Sequence, residues 1–87
     1  MGHYRLLYKR QAVDDIHRLT PQVQKRLKKK LEFFITQDDP LEFAQRLTKP
    51  ADAQYRFRVG DFRVLFDSDG SDLVVLHVQH RREVYRR

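Results

Sequence analysis

The chain is 87 residues long, with 18 Lys and Arg against 12 Asp and Glu and a formal charge of +6. That length fits a single domain spanning residues 1–87, and a hydrophobic content of 40% supplies a compact core rather than a disordered polycation. The absence of cysteine excludes a disulfide scaffold, a thiolate zinc site and a thiol nucleophile.

Tyr4 to Lys9 is short and apolar-rich, the pattern of an opening strand. From Gln11 to Leu19 the period changes. Ala12, Ile16 and Leu19 recur at helical spacing, with Asp14, Asp15, His17 and Arg18 on the other side. Thr20-Pro21 then marks a new helix start, because Thr is a good N-cap and Pro is tolerated at the first helical position. The second helix runs to about Thr36, its apolar stripe formed by Val23, Leu27, Leu31, Phe34 and Ile35. Lys25, Arg26, Lys28, Lys29 and Lys30 cover most of its remaining surface. Asp38-Asp39-Pro40 ends it, since Pro drives the preceding residue away from helix.

Pro40 to Asp52 lacks a clear period and reads as a packed loop or a short helical turn anchored by Leu41, Phe43, Ala44 and Leu47. From Tyr55 the period is two: Tyr55, Phe57 and Val59, then Phe62, Val64 and Phe66 after Gly60-Asp61. Gly in the first loop position suits a type II′ hairpin turn. A second turn, with Asp69-Gly70 near its centre, leads to a third strand from Leu73 to Gln79. The expected fold is α+β, in the order β-α-α-β-β-β, with a helical hairpin packed on one face of a small antiparallel sheet.

The hairpin fixes a register with functional content. A two-residue loop at Gly60-Asp61 sets Val59 opposite Phe62, Phe57 opposite Val64 and Tyr55 opposite Phe66, burying one sheet face. The other face then carries Arg56, Arg58 and Arg63, with Arg58 directly across from Arg63. Like charges so placed repel. One reading is an anion site, because guanidinium presents a planar fork matched to phosphate. The other is a solvated face whose arginines pair with Asp61, Asp67 or Asp69.

The C-terminal run His80-Arg81-Arg82-Glu83-Val84-Tyr85-Arg86-Arg87 is the second concentration of chemistry. His80 supplies an imidazole, the side-chain type whose ordinary pKa lies nearest neutrality, Arg81 adds a phosphate-binding fork, and Tyr85 offers a phenol or a stacking face. A frayed basic tail is the bland alternative. The Lys-rich helix reads as a water-facing side, or as a diffuse grip on a polyanion. His3 and His17 are isolated surface residues, and Asp14-Asp15 and Asp38-Asp39 read as helix-terminal charges rather than a metal site. No phosphate-binding Gly loop, Ser-His-Asp set or zinc motif is present.

No run approaches the roughly 18 apolar residues of a membrane span. The N-terminus lacks the pattern of a secretory signal, and Leu6 stands where a myristoylation motif wants Ser or Thr. These features point to a cytoplasmic protein with no membrane partner. The positive charge calls for nucleic acid, anionic lipid or an acidic protein.

The hairpin Tyr55-Arg56-Phe57-Arg58-Val59-Gly60-Asp61-Phe62-Arg63-Val64-Leu65-Phe66, followed by the ending His80-Arg81-Arg82-Glu83-Val84-Tyr85, resembles the RelE/ParE toxin superfamily of bacterial and archaeal toxin–antitoxin systems. Ala12 early in the first helix, and Ile16 and Leu19 before the turn, approximate further positions of the pattern. The resemblance covers essentially the whole length, in the same element order. It implies one of two activities: the RelE branch cuts messenger RNA in the ribosomal decoding site, and the ParE branch poisons DNA gyrase without being a nuclease.

On the RelE pattern, Arg56 and Arg58 match basic residues that bind the RNA backbone, and Arg63 matches one that contacts the scissile phosphate. Arg81 matches a residue that stabilises charge developing on that phosphate, and Tyr85 an aromatic that stacks on or orients a nucleotide. His80 stands where members have Lys or His. The implied reaction is attack by a ribose 2′-hydroxyl on its own 3′-phosphate, giving a 2′,3′-cyclic phosphate and a 5′-hydroxyl without metal or other cofactor. Arg hardly deprotonates and is a poor general base. Proton transfer therefore falls to His80 and Tyr85, with His80 as base when neutral or acid when charged.

The resemblance thus implies a metal-independent, ribosome-dependent mRNA endoribonuclease that inhibits translation, with the ribosome and its message as one partner. The joint presence of Arg56, Arg58, Arg63, Arg81 and Tyr85 favours it. The alternatives are a gyrase poison and a non-catalytic RNA-binding module. The expected protein partner is a small acidic antitoxin docking on the apolar surface around the helices and the Pro40 to Asp52 loop.

Overall fold

A computed structural model describes residues 3–48 and 52–84, the last two by backbone alone. Strand β1 (Arg5–Tyr8) leads into helix α1 (Arg10–His17), and a short break precedes helix α2 (Pro21–Ile35). The break is built as its sequence predicts. The Thr20 hydroxyl accepts the Val23 N–H at 3.3 Å, and Pro21 sits in the first turn, where its missing N–H costs nothing. Helix α2 buries Leu27, Leu31 and Phe34 and leaves Lys25, Arg26 and Lys28 to Lys30 exposed.

The described part of the aperiodic segment holds two short elements. Asp39 Oδ1 accepts the Leu41 N–H at 3.1 Å and caps a single 3-10 turn, Pro40–Phe43, in which Pro40 is buried. Strand β2 (Gln45–Arg46) follows, too short to leave a period in the sequence. Strands β3 (Tyr55–Val59), β4 (Phe62–Asp69) and β5 (Asp72–His80) form a meander, and one helical turn, α3 (Arg81–Val84), closes the described chain.

Both hairpin turns have Gly first. Gly60 and Gly70 each have φ of 60°, and no other described residue has positive φ, as a type II′ turn requires. The second turn centres on Gly70-Ser71, one residue later than expected, with Asp69 and Asp72 as the last pair. The β3–β4 register is the predicted one throughout, including Arg58 opposite Arg63.

The sheet order is β1-β5-β4-β3-β2. It is mixed rather than wholly antiparallel, because β1 pairs in parallel with β5. The two helices are the crossover that lets the chain return alongside its first strand in the same direction. Arg5 and Asp72, facing each other in that pair, form an ion pair at 2.9 Å. Where β1 ends, α1 takes over the edge of β5: the Asp15 carboxylate accepts the Val78 N–H at 3.0 Å and the Gln11 amide at 2.8 Å. Asp15 is thus an acceptor for an orphaned strand donor, not the helix-terminal charge its sequence position suggests.

A stack of three rings, Phe34, Phe57 and Phe66, joins α2 to β3 and β4, with centroids 4.3 and 4.4 Å apart. Around it lie Ala12, Leu27, Leu31, Val59, Val64, Leu73, Val75 and Val78. The alternation in β5 is broken by a bulge, since Leu65 pairs with His77 but Phe66 with Val75. The extra residue shifts the parity, so Val75 and Val78 both face the helices. No described helix is long and apolar enough to cross a membrane.

Candidate functional site

The Gly60-Asp61 turn and the start of α3 meet at one end of the sheet. The Arg81 backbone N–H donates to the Asp61 carbonyl at 2.7 Å, which docks the last helical turn onto the hairpin. The Arg81 guanidinium lies 3.8 Å from the Asp61 carboxylate, and both side chains are more than half exposed. Such a pair is weak and readily exchanged. Arg58, Arg63 and Arg81, with Gly60, Asp61 and Phe62, line a cleft of about 180 Å³.

Three guanidinium groups there face one carboxylate. Arg63 retains only 9% of its accessible surface and is flanked by Arg58 on one strand and Gln79 on the other. Holding a nearly buried cation against a second cation costs free energy in low dielectric, and an anion seated between them reverses the sign of the interaction. Two of the acids that could pair with this face have partners of their own. Asp61 faces Arg81, and Asp67 accepts the Gln54 N–H at 2.9 Å. The Arg58 side chain has no hydrogen bond or ion pair with any described residue.

Of the other sequence-predicted residues, Arg56 and His80 do not line the cleft. Arg56, two residues along β3 on the same face, donates to the Gln45 side-chain oxygen on β2 at 2.6 Å. His80 is on the opposite face. The β5 bulge shifts its parity, so it pairs with Phe62 and meets that ring edge-on at 5.1 Å. Its Nδ1 accepts the Arg82 backbone N–H at 3.1 Å. A backbone N–H only donates, so neutral His80 carries its proton on Nε2. With Asp15, Arg18, Leu19 and His77 it lines a separate depression behind Phe62. Tyr85 lies outside the described residues.

Three cleft residues were not read as site residues: Gly60 was a turn residue, Asp61 a turn residue and a local acid to pair with arginine, and Phe62 a core position. Their place in a two-residue turn between arginines was the available signal. Among the described residues, no three His, Asp or Glu side chains converge as a metal site would require. A second concavity, apolar and about 940 Å³, opens between β1 and the two helices, lined by Tyr4, Leu6, Tyr8, Ile16, Leu31 and Ile35 among others.

Residues 6–85 match the family described as the ParE toxin of type II toxin–antitoxin systems, parDE. No match was found among curated proteins. The structure is similar to the RelBE2 toxin–antitoxin complex from Mycobacterium tuberculosis, with 25% identity, a TM-score of 0.70, and coverage of 93% of this chain and 100% of that one. It is also similar to the RelB–RelE complex from Methanococcus jannaschii, with 21% identity, a TM-score of 0.71, and coverage of 92% and 95%. The RelE–RelB complex from Pyrococcus horikoshii OT3 gives 22% identity, a TM-score of 0.69, and coverage of 90% and 94%.

Proposed function

This chain belongs to the ParE toxin family of type II toxin–antitoxin systems, within the RelE/ParE superfamily, and from that premise we propose that it is a ribosome-dependent mRNA endoribonuclease. The observation that carries the reading is the cleft at the hairpin turn, where Arg58, Arg63 and Arg81 surround a volume that suits one phosphodiester. Attack of a ribose 2′-hydroxyl on the adjacent phosphorus adds a negative charge to the phosphoryl oxygens. Fixed guanidinium donors stabilise that charge, and removing one such donor typically costs about 10²–10³ in rate. The P–O5′ bond breaks, the 2′-hydroxyl proton passes to a base, and the leaving 5′-oxygen takes a proton.

The arginines hold and polarise the phosphate but exchange no protons at neutral pH. His80 lies behind Phe62 on the opposite face and does not line the cleft, so of the two proton-transfer candidates that the sequence singles out, Tyr85 is the one left for the phosphate seated there. Tyr85 and Arg56 keep the roles that the resemblance implies, as a group orienting a nucleotide and a backbone contact. A cleft this small orients one linkage only, which fits a substrate positioned by the ribosome.

As a type II toxin the chain has an antitoxin partner of acidic character, matched to its charge of +6. We place its docking on the apolar groove between β1 and the helices, where Tyr8 is exposed and β1 is an outer strand. An outer strand offers unpaired backbone groups to an added strand. Phe33 and Phe43, also exposed, extend the apolar surface near the 3-10 turn.

The test is a translation reaction with the protein added, followed by primer extension along the message. Discrete cuts within translated regions, absent from naked RNA, are expected. Intact message with inhibited gyrase supercoiling would establish the second reading, a gyrase poison, which the family's ParE description favours.

A further inference from the structure

Helix α2 sends one residue toward the cleft from the other side of the sheet. The Arg26 Nη1 lies 3.6 Å from the point where a Cβ on Gly60 would stand. Gly60 is both the apex of the turn and a wall of the cleft. The turn is therefore flanked by arginines on both sides, with Arg58, Arg63 and Arg81 on one and Arg26 on the other. Arg26 is exposed, and its side chain makes no hydrogen bond or ion pair with a described residue. Its neighbour Asp61 is turned to Arg81 instead. An uncompensated guanidinium beside a residue without a side chain gains little from packing or pairing, and it borders the turn that walls the cleft.

We infer that Arg26 holds the phosphate next to the one seated in the cleft, so that a single-stranded RNA backbone runs from Arg58, Arg63 and Arg81 over the Gly60 turn. This rests on the RNA reading of the cleft. One phosphate cannot span both sides of the turn, whereas successive phosphates of an extended strand lie several ångströms apart, on the scale of the turn itself. The mononucleotide is then blind to Arg26 and the polymer is not. Gly60 serves the same end, because any side chain there would stand between Arg26 and the strand.

The experiment measures binding of the full chain to two probes: a 2′-O-methyl RNA hexamer, which cannot be cleaved, and a nucleoside 3′-monophosphate. Arg26→Ala is expected to weaken hexamer binding by about 5- to 10-fold and to lower the salt slope by about 0.7, the value for one lost contact to a single strand. Mononucleotide binding should change by less than about twofold. Arg26→Lys should restore the salt slope. Lys28→Ala, the same charge change on the same helix but lining the β1 groove, should leave the hexamer within about twofold. Equal losses from Arg26→Ala and Lys28→Ala would mean a diffuse grip and overturn the inference, as would a parallel loss for the mononucleotide. If Arg58→Ala and Arg63→Ala also leave both probes unaffected, the RNA reading of the cleft fails and the inference goes with it.

Discussion

At the scale of single residues, the cleft trades stability for charge. Arg58 and Arg63 face each other across β3 and β4, and Arg58 has no compensating partner among the described residues. Arg58→Ala should therefore stabilise the fold by about 0.2–1 kcal/mol while reducing cleavage by about 10²-fold. Calorimetry and primer extension on the same preparation check both halves; unchanged cleavage would remove Arg58 from the site. Arg81 is 62% exposed at its side chain, so Arg81→Ala should leave stability within about 0.5 kcal/mol and still lose activity. The two turn glycines separate backbone cost from function. Gly60→Ala and Gly70→Ala each place a side chain at φ of 60° and should each cost about 1–2 kcal/mol. Only Gly60 borders the cleft, so only Gly60→Ala should also weaken binding of the RNA hexamer.

At the scale of elements, a few contacts lock the layers together. Asp15 on α1 is the acceptor for the β5 donor at Val78, which β1 is too short to reach. Asp15→Ala leaves that donor unpaired and should cost about 1–3 kcal/mol, measured by urea unfolding, with Asp15→Asn recovering most of it. An alanine variant as stable as the parent would show that water serves the Val78 N–H equally well. The ring stack of Phe34, Phe57 and Phe66 ties α2 to the two central strands, and Phe57 is 1% exposed. Phe57→Ala should cost about 3–5 kcal/mol through lost burial and a residual cavity. The β5 bulge decides which side chains the sheet sends to each face, and so keeps His80 with Phe62 rather than with Arg63.

For the whole molecule, charge governs association. A chain of net charge +6 meeting an acidic antitoxin should associate fastest at low ionic strength. Raising salt from 50 to 500 mM should lower the association rate by about tenfold or more while the dissociation rate, on the proposed docking at the apolar groove, changes little. Stopped-flow mixing with the purified antitoxin measures both. A salt-independent association rate would count against charge as the matching principle.

The sequence by itself determined the helical hairpin, the two Gly-first turns and the β3–β4 register. Each follows from local rules: a cap, a period, or a loop length that fixes parity over a few residues. It therefore also determined that Arg58 and Arg63 would be paired. Tertiary structure alone decided the parallel pairing of β1 with β5, the two-residue β2 and the bulge at the Leu65–Phe66 step. These depend on contacts between segments far apart in the chain, for which no local period exists. For that reason the sequence grouped His80 with the arginines by proximity to Arg81, while one inserted residue in β5 turned it to the other face. It is also why Arg26, read as one cation among many on a basic helix, acquires a place at the cleft only once α2 is laid beside the Gly60 turn.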